Sequence, residues 1–380
     1  MNGQRKDCKK TLLLIIINTF TSHHCSEMCY LCKKIAKAMK CVVNITERVF
    51  NFRQPATTSR GVYTDRRSWL VEMTDGIHTV TGECAPLPDL SCDAMPPYIY
   101  NNVLRRFCDH LAQTGTIDYE AMRPYPSMLF GLETAFLDFK AKARNVLFDT
   151  AFTRREVGIP INGLVWMGTY EEMLTRMEEK LKQGFRCIKL KIGAIDFDRE
   201  LDLIKRIRAR FSHHEVELRL DANGAFLFDD ALYKLEMLSQ YVIHSIEQPI
   251  KAGQWAYMAE LCRESPLPIA LDEELIGVNN PEQKRQMLHI IKPAYIILKP
   301  SLHGGMAGCR EWIDFARDED IGSWMTSALE SNIGLNAIAQ FCSSVYGDTI
   351  TMPQGLGTGL LFTDNIDMPL EIRGDKLYMS

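Results

Sequence analysis

Three acids and two amines close five short apolar runs of this chain: Lys191, Asp221, Glu247, Asp272 and Lys299 end the runs at 187–191, 216–221, 242–247, 268–272 and 294–299. Three carboxylates with no Cys or His among them form a hard, all-oxygen donor set. That set selects Mg²⁺, or Mn²⁺, over zinc. An amine beside such an ion suits one task in particular. A C–H next to a carboxylate is barely acidic, because its removal concentrates charge as an enediolate, and a nearby cation stabilises that charge where it develops. The expected chemistry is metal-assisted proton abstraction, with Asp221, Glu247 and Asp272 as metal ligands and with Asn223 and Glu273 supporting them from behind.

One strand-end acid alone is more often a helix cap or a solvated loop residue. Three in succession, each at the same terminal position, are hard to explain that way. The closing residues lie 30, 26, 25 and 27 residues apart, which is the length of a strand, a loop, a helix and a return loop. That interval predicts a parallel (β/α) barrel, whose strand ends converge on one mouth. Lys189 and Lys191 are two apart on one strand and therefore share a face. Outward, their ammonium groups would be buried against helices at high cost, so both are placed inward. Lys191, nearer the strand end, is assigned proton transfer, and Lys189 is assigned the tuning of its pKa. Lys299 comes from four strands further round and faces the same cavity from the opposite side.

The elements around these runs follow from pattern. Residues 41–52 and 68–86 read as strands with a hairpin turn at Asp75-Gly76, and 97–113 and 127–146 read as helices. The barrel is expected to begin at Ile159-Pro-Ile-Asn-Gly-Leu164, to place a seventh strand at 322–326 and to begin an eighth near 349–352. The predicted fold class is α/β: a (β/α)7β TIM-like barrel with an α+β N-terminal capping domain. The expected boundaries are a leader at 1–38, a capping domain at 39–150, the barrel at 151–353, and a segment at 354–380 packing on the capping domain.

Length and composition set the outer bounds. At 380 residues, two domains are the default. The net charge of −4 argues against a dedicated nucleic-acid partner, and no apolar stretch reaches the roughly 18 residues of a membrane span. Twelve cysteines, mostly scattered singly, read as reduced thiols of a cytoplasmic protein. The basic leader, with eight Lys/Arg against two Asp/Glu in residues 1–40, is expected to be disordered or absent from the working protein, with Met39 as its start. A zinc site from His23, His24, Cys25, Cys29 and Cys32 is poorly supported, since one Cys-x-x-Cys has no matched second pair.

The ordered set of two lysines and three acids, with Lys-x-Lys on the second barrel strand, resembles the enolase superfamily in its muconate-cycloisomerase-like branch. The likeness covers about residues 39–380. Finer motifs are similar to the o-succinylbenzoate synthase family of the Bacteroidetes-like type. These are Gln54-Pro-Ala-Thr-Thr-Ser-Arg-Gly-Val-Tyr63, Gly82-Glu-Cys-Ala-Pro-Leu-Pro88, Pro160-Ile-Asn-Gly-Leu-Val-Trp-Met-Gly168, Ser327-Ala-Leu-Glu-Ser331 and Gly355-Leu-Gly-Thr-Gly359. The resemblance implies a carbon–oxygen lyase of menaquinone biosynthesis acting on a small carboxylate through a metal-stabilised enediolate. It further implies Lys191 as proton acceptor and donor, and Lys299 as the charge that stabilises enediolate and ring. Thr58, Ser59 and Arg60, with the 86–91 loop, would close over the mouth, and Trp166 and Ser327 would line the substrate pocket. Dipeptide epimerases and N-succinylamino-acid racemases use the same two lysines, but the Asp-x-Asp of epimerases is missing from 355–362. An inactive barrel kept for binding would be expected to have lost a ligand or a lysine, and none is lost.

Overall fold

The structure, a computed structural model, describes residues 41–380 apart from 59, 60 and 143; the expectations for the leader lie outside these residues. Chain entry is a three-stranded antiparallel sheet of β1 (Val42–Thr58), β2 (Gly61–Thr74) and β3 (Thr79–Cys84). The β2–β3 turn forms as Asp75-Gly76 predicts: the Asp75 carboxylate accepts the backbone N–H groups of Ile77 and His78, while Gly76 takes φ +87°. Helices α1 (Pro97–Thr114), α2 (Tyr119–Met122) and α3 (Pro126–Lys140) cover one face of the sheet.

Helix α3 is buried along nearly its whole length, as its small and apolar composition requires. Gly131 and Gly82 let its backbone lie directly on β3, because a Cβ at Gly82 would overlap the Gly131 carbonyl oxygen. The helix stops at Lys140, six residues before the predicted end, and the chain then passes through left-handed Lys142 and Asn145. The apolar content of 141–148 continues, but in a loop: Leu147 N–H is taken by the Gln340 side chain.

Seven parallel strands follow in strict order: β5 (Gly163–Val165), β6 (Cys187–Lys191), β7 (Glu217–Asp221), β8 (Ser245–Glu247), β9 (Ile269–Leu271), β10 (Tyr295–Leu298) and β11 (Gly322–Met325). Helices α4 (Tyr170–Lys182), α5 (Phe197–Arg210), α6 (Phe228–Ser239), α7 (Trp255–Glu264), α8 (Pro281–Ile291), α9 (Gly305–Asp318) and α10 (Asn332–Tyr346) alternate with them, as the interval of the runs predicts. Their apolar stripes (Leu201, Ile204 and Ile207 on α5; Ala231, Leu235 and Leu238 on α6) pack on the strands in one continuous core. Two helices start on strong caps: Thr169 and Glu172 form a capping box on α4, and Asn280 followed by Pro281 starts α8.

Two sequence expectations are corrected. Ile159–Pro160 (β4) is not a barrel strand. It pairs with β13 (Lys376–Met379), itself paired with β12 (Leu370–Arg373), and the barrel begins at Ile161, inside the expected 159–164 run. The eighth position is filled at Gln354-Gly355 rather than 349–352: Gln354 bridges Ile161 and Gly355 bridges Thr326, closing the ring. Two residues are too short to leave a periodic signal. Nearby, Phe362 packs between Phe50 and Phe52 of β1.

Candidate active site

Parallel register lays the chemistry out in a layer. Lys191 pairs with Asp221, and Asp221 with Glu247, so three strand ends stand side by side at the C-terminal mouth. Asp272 and Lys299 sit one residue beyond β9 and β10, at the same rim. The inward placement of both lysines holds. Lys189 Nζ donates to Asp221 Oδ2 at 2.9 Å and to Glu247 Oε2 at 2.5 Å. Lys191 Nζ donates to the same Asp221 oxygen at 2.9 Å and to Asn223 Oδ1 at 2.7 Å. Lys299 Nζ donates to Asp272 Oδ2. Asn223, left-handed at φ +44°, donates through Nδ2 to Glu273 Oε1 at 2.9 Å, joining the two predicted supporting residues.

Electrostatics follow from burial opposed by opposite charge. Burial alone would lower the pKa of Lys189, yet Asp221, Glu247 and Asp272 outweigh it and hold the ammonium form. Lys299 is likewise raised against its burial by Asp272 and Glu247. Burial favours a protonated Asp221, but the two lysines pull it below the carboxylate range. Glu247 goes the other way: burial and its acidic neighbours push it well above its ordinary value.

The donor set fits a hard divalent cation. Glu247 Oε1 and Asp272 Oδ1 are buried carboxylate oxygens without a hydrogen-bond partner, beside an otherwise all-oxygen cluster. Among the described residues, no three acidic, His or Cys side chains are drawn together in ligating geometry; Lys189 bridges Asp221 and Glu247, and Lys299 pairs with Asp272.

Above the acids opens a cavity of about 100 Å³, continuous with solvent at its mouth. Lys189, Lys191, Lys299, Asn223 and Glu273 form its polar floor. Leu164, Trp166, Leu302, Ala328 and Leu329 line its barrel walls, and Tyr63, Leu87 and Leu90 close it from the first sheet's side. Ser327 also lines it, with its hydroxyl 2.7 Å from that of Thr358. Trp166 and Ser327 are thus at the cavity, whereas Ser59, Arg60 and the Thr58 side chain lie outside what is described.

Three contributors escaped the sequence reading. His303, one turn after Lys299, accepts the Lys299 backbone N–H on Nδ1 at 2.9 Å, so its proton sits on Nε2, 3.9 Å from Asp272 Oδ1. Burial lowers its pKa to about 3, which keeps it neutral beside the lysine. Gln248, left-handed at φ +43° directly after Glu247, accepts the N–H groups of Asp272 and Glu274 on Oε1. Its non-glycine positive φ next to three clustered acids was the available structural sign, but only coordinates display it. Arg219, two residues before Asp221, fills the barrel beneath the site over the Trp324 ring; the parity argument used for Lys189 would have found it.

Comparison with known proteins now bears on this geometry. Residues 172–376 match the model of the family described as "Enolase C-terminal domain-like". The chain is similar to the o-succinylbenzoate synthase of Desulfotalea psychrophila, 45% identical over 358 residues covering 87% of this chain and 96% of that one. The crystal structure of MenC from Desulfotalea psychrophila superposes with a TM-score of 0.75 at 39% identity, covering 89% of this chain and 99% of that one. A muconate lactonizing enzyme from Pseudomonas fluorescens, solved with muconolactone, shares the fold at a TM-score of 0.74 and 21% identity, covering 89% of this chain and 93% of that one. Members of the enolase superfamily generally use Mg²⁺. With its barrel, its two lysines and its three acids at one mouth, the chain belongs to the Enolase C-terminal domain-like family.

Proposed function

We propose that this chain catalyses the o-succinylbenzoate synthase reaction of menaquinone biosynthesis. In it, 2-succinyl-6-hydroxy-2,4-cyclohexadiene-1-carboxylate loses water to give 2-succinylbenzoate. The observation that carries this is the pair of lysines flanking three buried acids under an apolar cavity, in a chain 45% identical to a relative of that activity. Asp221, Glu247 and Asp272 would hold Mg²⁺, with Mn²⁺ as the alternative, and Asn223 and Glu273 would support them. When bound, the ion supplies fixed positive charge beside the substrate carboxylate.

The protein's own groups account for the proton movements. Lys191 takes the proton from the carbon next to the carboxylate and returns it to the departing hydroxyl. One C–H and one C–O bond break, the ring gains a double bond, and water leaves. Lys299 remains an ammonium across the cavity, where it stabilises charge on the carboxylate and, through cation–π attraction, the ring. Lys189 keeps its ammonium between Asp221 and Glu247, next to Lys191 on the same face of β6. Leu87, Leu90, Leu302 and Leu329 exclude water from this step.

The test is direct: purified protein with Mg²⁺ converts the diene to product, and Lys191→Ala abolishes conversion. Turnover unchanged in that variant removes Lys191 from its role. A second reading, N-succinylamino-acid racemase activity, is favoured by the two amines entering one cavity from different strands; deuterium exchange at Cα of an N-succinylamino acid in D₂O decides it. We further infer a capping domain at 39–150, a barrel that starts within the expected 151–353 but runs on to its closure at Gln354-Gly355, and a C-terminal segment after it. A cytoplasmic setting is supported by the eight free thiols among the described residues. Among these residues no helix is long and apolar enough to cross a membrane.

A further inference from the structure

Arg66 of β2 is a fully enclosed guanidinium, 2% exposed, whose hydrogen bonds go to backbone carbonyls rather than to a carboxylate. Its donors go to four backbone carbonyls in two loops. Nη1 donates to Pro86 O at 2.5 Å and Nη2 to Ala85 O, on the loop after β3. Nε donates to Leu329 O at 3.3 Å and Nη2 to Ala328 O at 3.4 Å, on the loop after β11. Enclosing a guanidinium is costly, and an arrangement made only for adhesion would set it against an acid. Acids are in reach electrostatically: Glu83 and Glu330 stabilise its charge through space. They are committed elsewhere, however. Glu83 accepts from Ser68, Ser331 and Gly334, and Glu330 accepts from Ser301 and from the Ala328 backbone. What the planar fork does here is fix two loops against each other at a defined angle, which a point charge does poorly.

Both loops face the candidate substrate. The first carries Leu87 and Leu90 into the cavity, and the second carries Ser327, Ala328 and Leu329. Leu87, Leu302 and Ala328 form a buried cluster at this junction, with Tyr63 and Leu90 packed on it. Leu329 holds a left-handed backbone at φ +64°, a conformation that a leucine keeps only when its surroundings impose it. Arg66 on its carbonyl and the Glu330–Ala328 contact beside it are that imposition. We propose that Arg66 is a positioning residue that sets the two apolar walls of the cavity and thereby its affinity for substrate, without touching the reacting atoms.

This rests on the o-succinylbenzoate synthase reading, and the experiment separates the two. Steady-state kinetics of the Mg²⁺-loaded full chain are compared for wild type, Arg66→Met and Arg66→Lys, with hydrogen exchange followed in residues 85–90 and 327–330. Expected are a KM raised at least tenfold in Arg66→Met with kcat changed less than threefold, an intermediate KM in Arg66→Lys, and faster exchange in both loops while β6 is unchanged. A KM equal to wild type in a folded Arg66→Met, or a loss confined to kcat, overturns the proposal. If Arg66→Met does not fold, Arg66→Lys decides: KM raised threefold or more supports it, and an unchanged KM overturns it. If wild type fails to turn over the diene, the functional reading falls. Exchange then decides the Arg66 assignment by itself: faster exchange in both loops of a variant supports it, and unchanged exchange overturns it.

Discussion

Lys299 and Asp272 illustrate how each charge at the rim depends on its partner. Removing the amine leaves Asp272 buried beside Glu247 with less positive charge, and removes the cation assigned to the far side of the ring. Lys299→Ala is therefore expected to lower kcat by about 10²–10³, the range for loss of one preorganised charge-stabilising group. Rapid-quench or steady-state assays on folded protein check this. His303 gives a subtler case. As a neutral imidazole that accepts the Lys299 backbone N–H, it fixes the turn that carries the amine rather than adding charge to the site.

At the scale of elements, the contact of β3 with α3 is the tightest constraint in the first sheet's region. Gly82→Ala forces a methyl group against the Gly131 carbonyl, which is backbone within a helix buried on both sides. Overpacking of this kind costs about 1–3 kcal/mol, and the structure offers no flexible side chain to absorb it. Denaturant unfolding of Gly82→Ala is expected to show a lower midpoint by that margin, with Lys191 chemistry intact per folded molecule. Cap-to-barrel links follow the same logic with polar groups. Glu83 on β3 accepts the N–H groups of Ser331 and Gly334 at the start of α10, satisfying donors that a helix N-terminus leaves open.

Across the whole molecule, a second acid performs a similar task from α3 to α9. Glu133 accepts the N–H of Met306 at 2.5 Å and of Ala307 at 3.0 Å. Burial nonetheless dominates and pushes its pKa up to about 8, against the pull of those two N–H groups and Arg310. The folded state therefore keeps a proton that the unfolded chain releases near its ordinary value of 4.5. Between these values the unfolded state binds fewer protons, so the contribution of this group to stability falls as pH rises, by at most about 1.4 kcal/mol per pH unit. Unfolding free energies measured from pH 5 to 8 are expected to show that slope, and Glu133→Gln to flatten it. A cation held by the three acids, as proposed, would have the opposite effect on stability. At a Mg²⁺ concentration 100 times Kd the fold gains about 2.7 kcal/mol, so the thermal midpoint is expected to rise with Mg²⁺ and to fall back with chelator. Asp221→Asn is expected to remove that response.

The repeating unit, the strand ends and the inward face of Lys189 and Lys191 are all legible along the chain. Each of these follows from local chemistry: period-two alternation, continuous apolar strands and a constant interval between acids. Tertiary structure alone decided the rest. The ring closes on the two residues Gln354 and Gly355, β4 leaves the barrel for the C-terminal hairpin, and α3 stops at Lys140. Glu83, Glu133, Arg66 and His303 look unremarkable in the chain. Glu83 meets its partner 248 residues away and Glu133 meets its own 173 residues away. A hydrogen bond across such a separation leaves no periodicity, because it is fixed by where two independently formed elements come to rest and not by the order of residues in either.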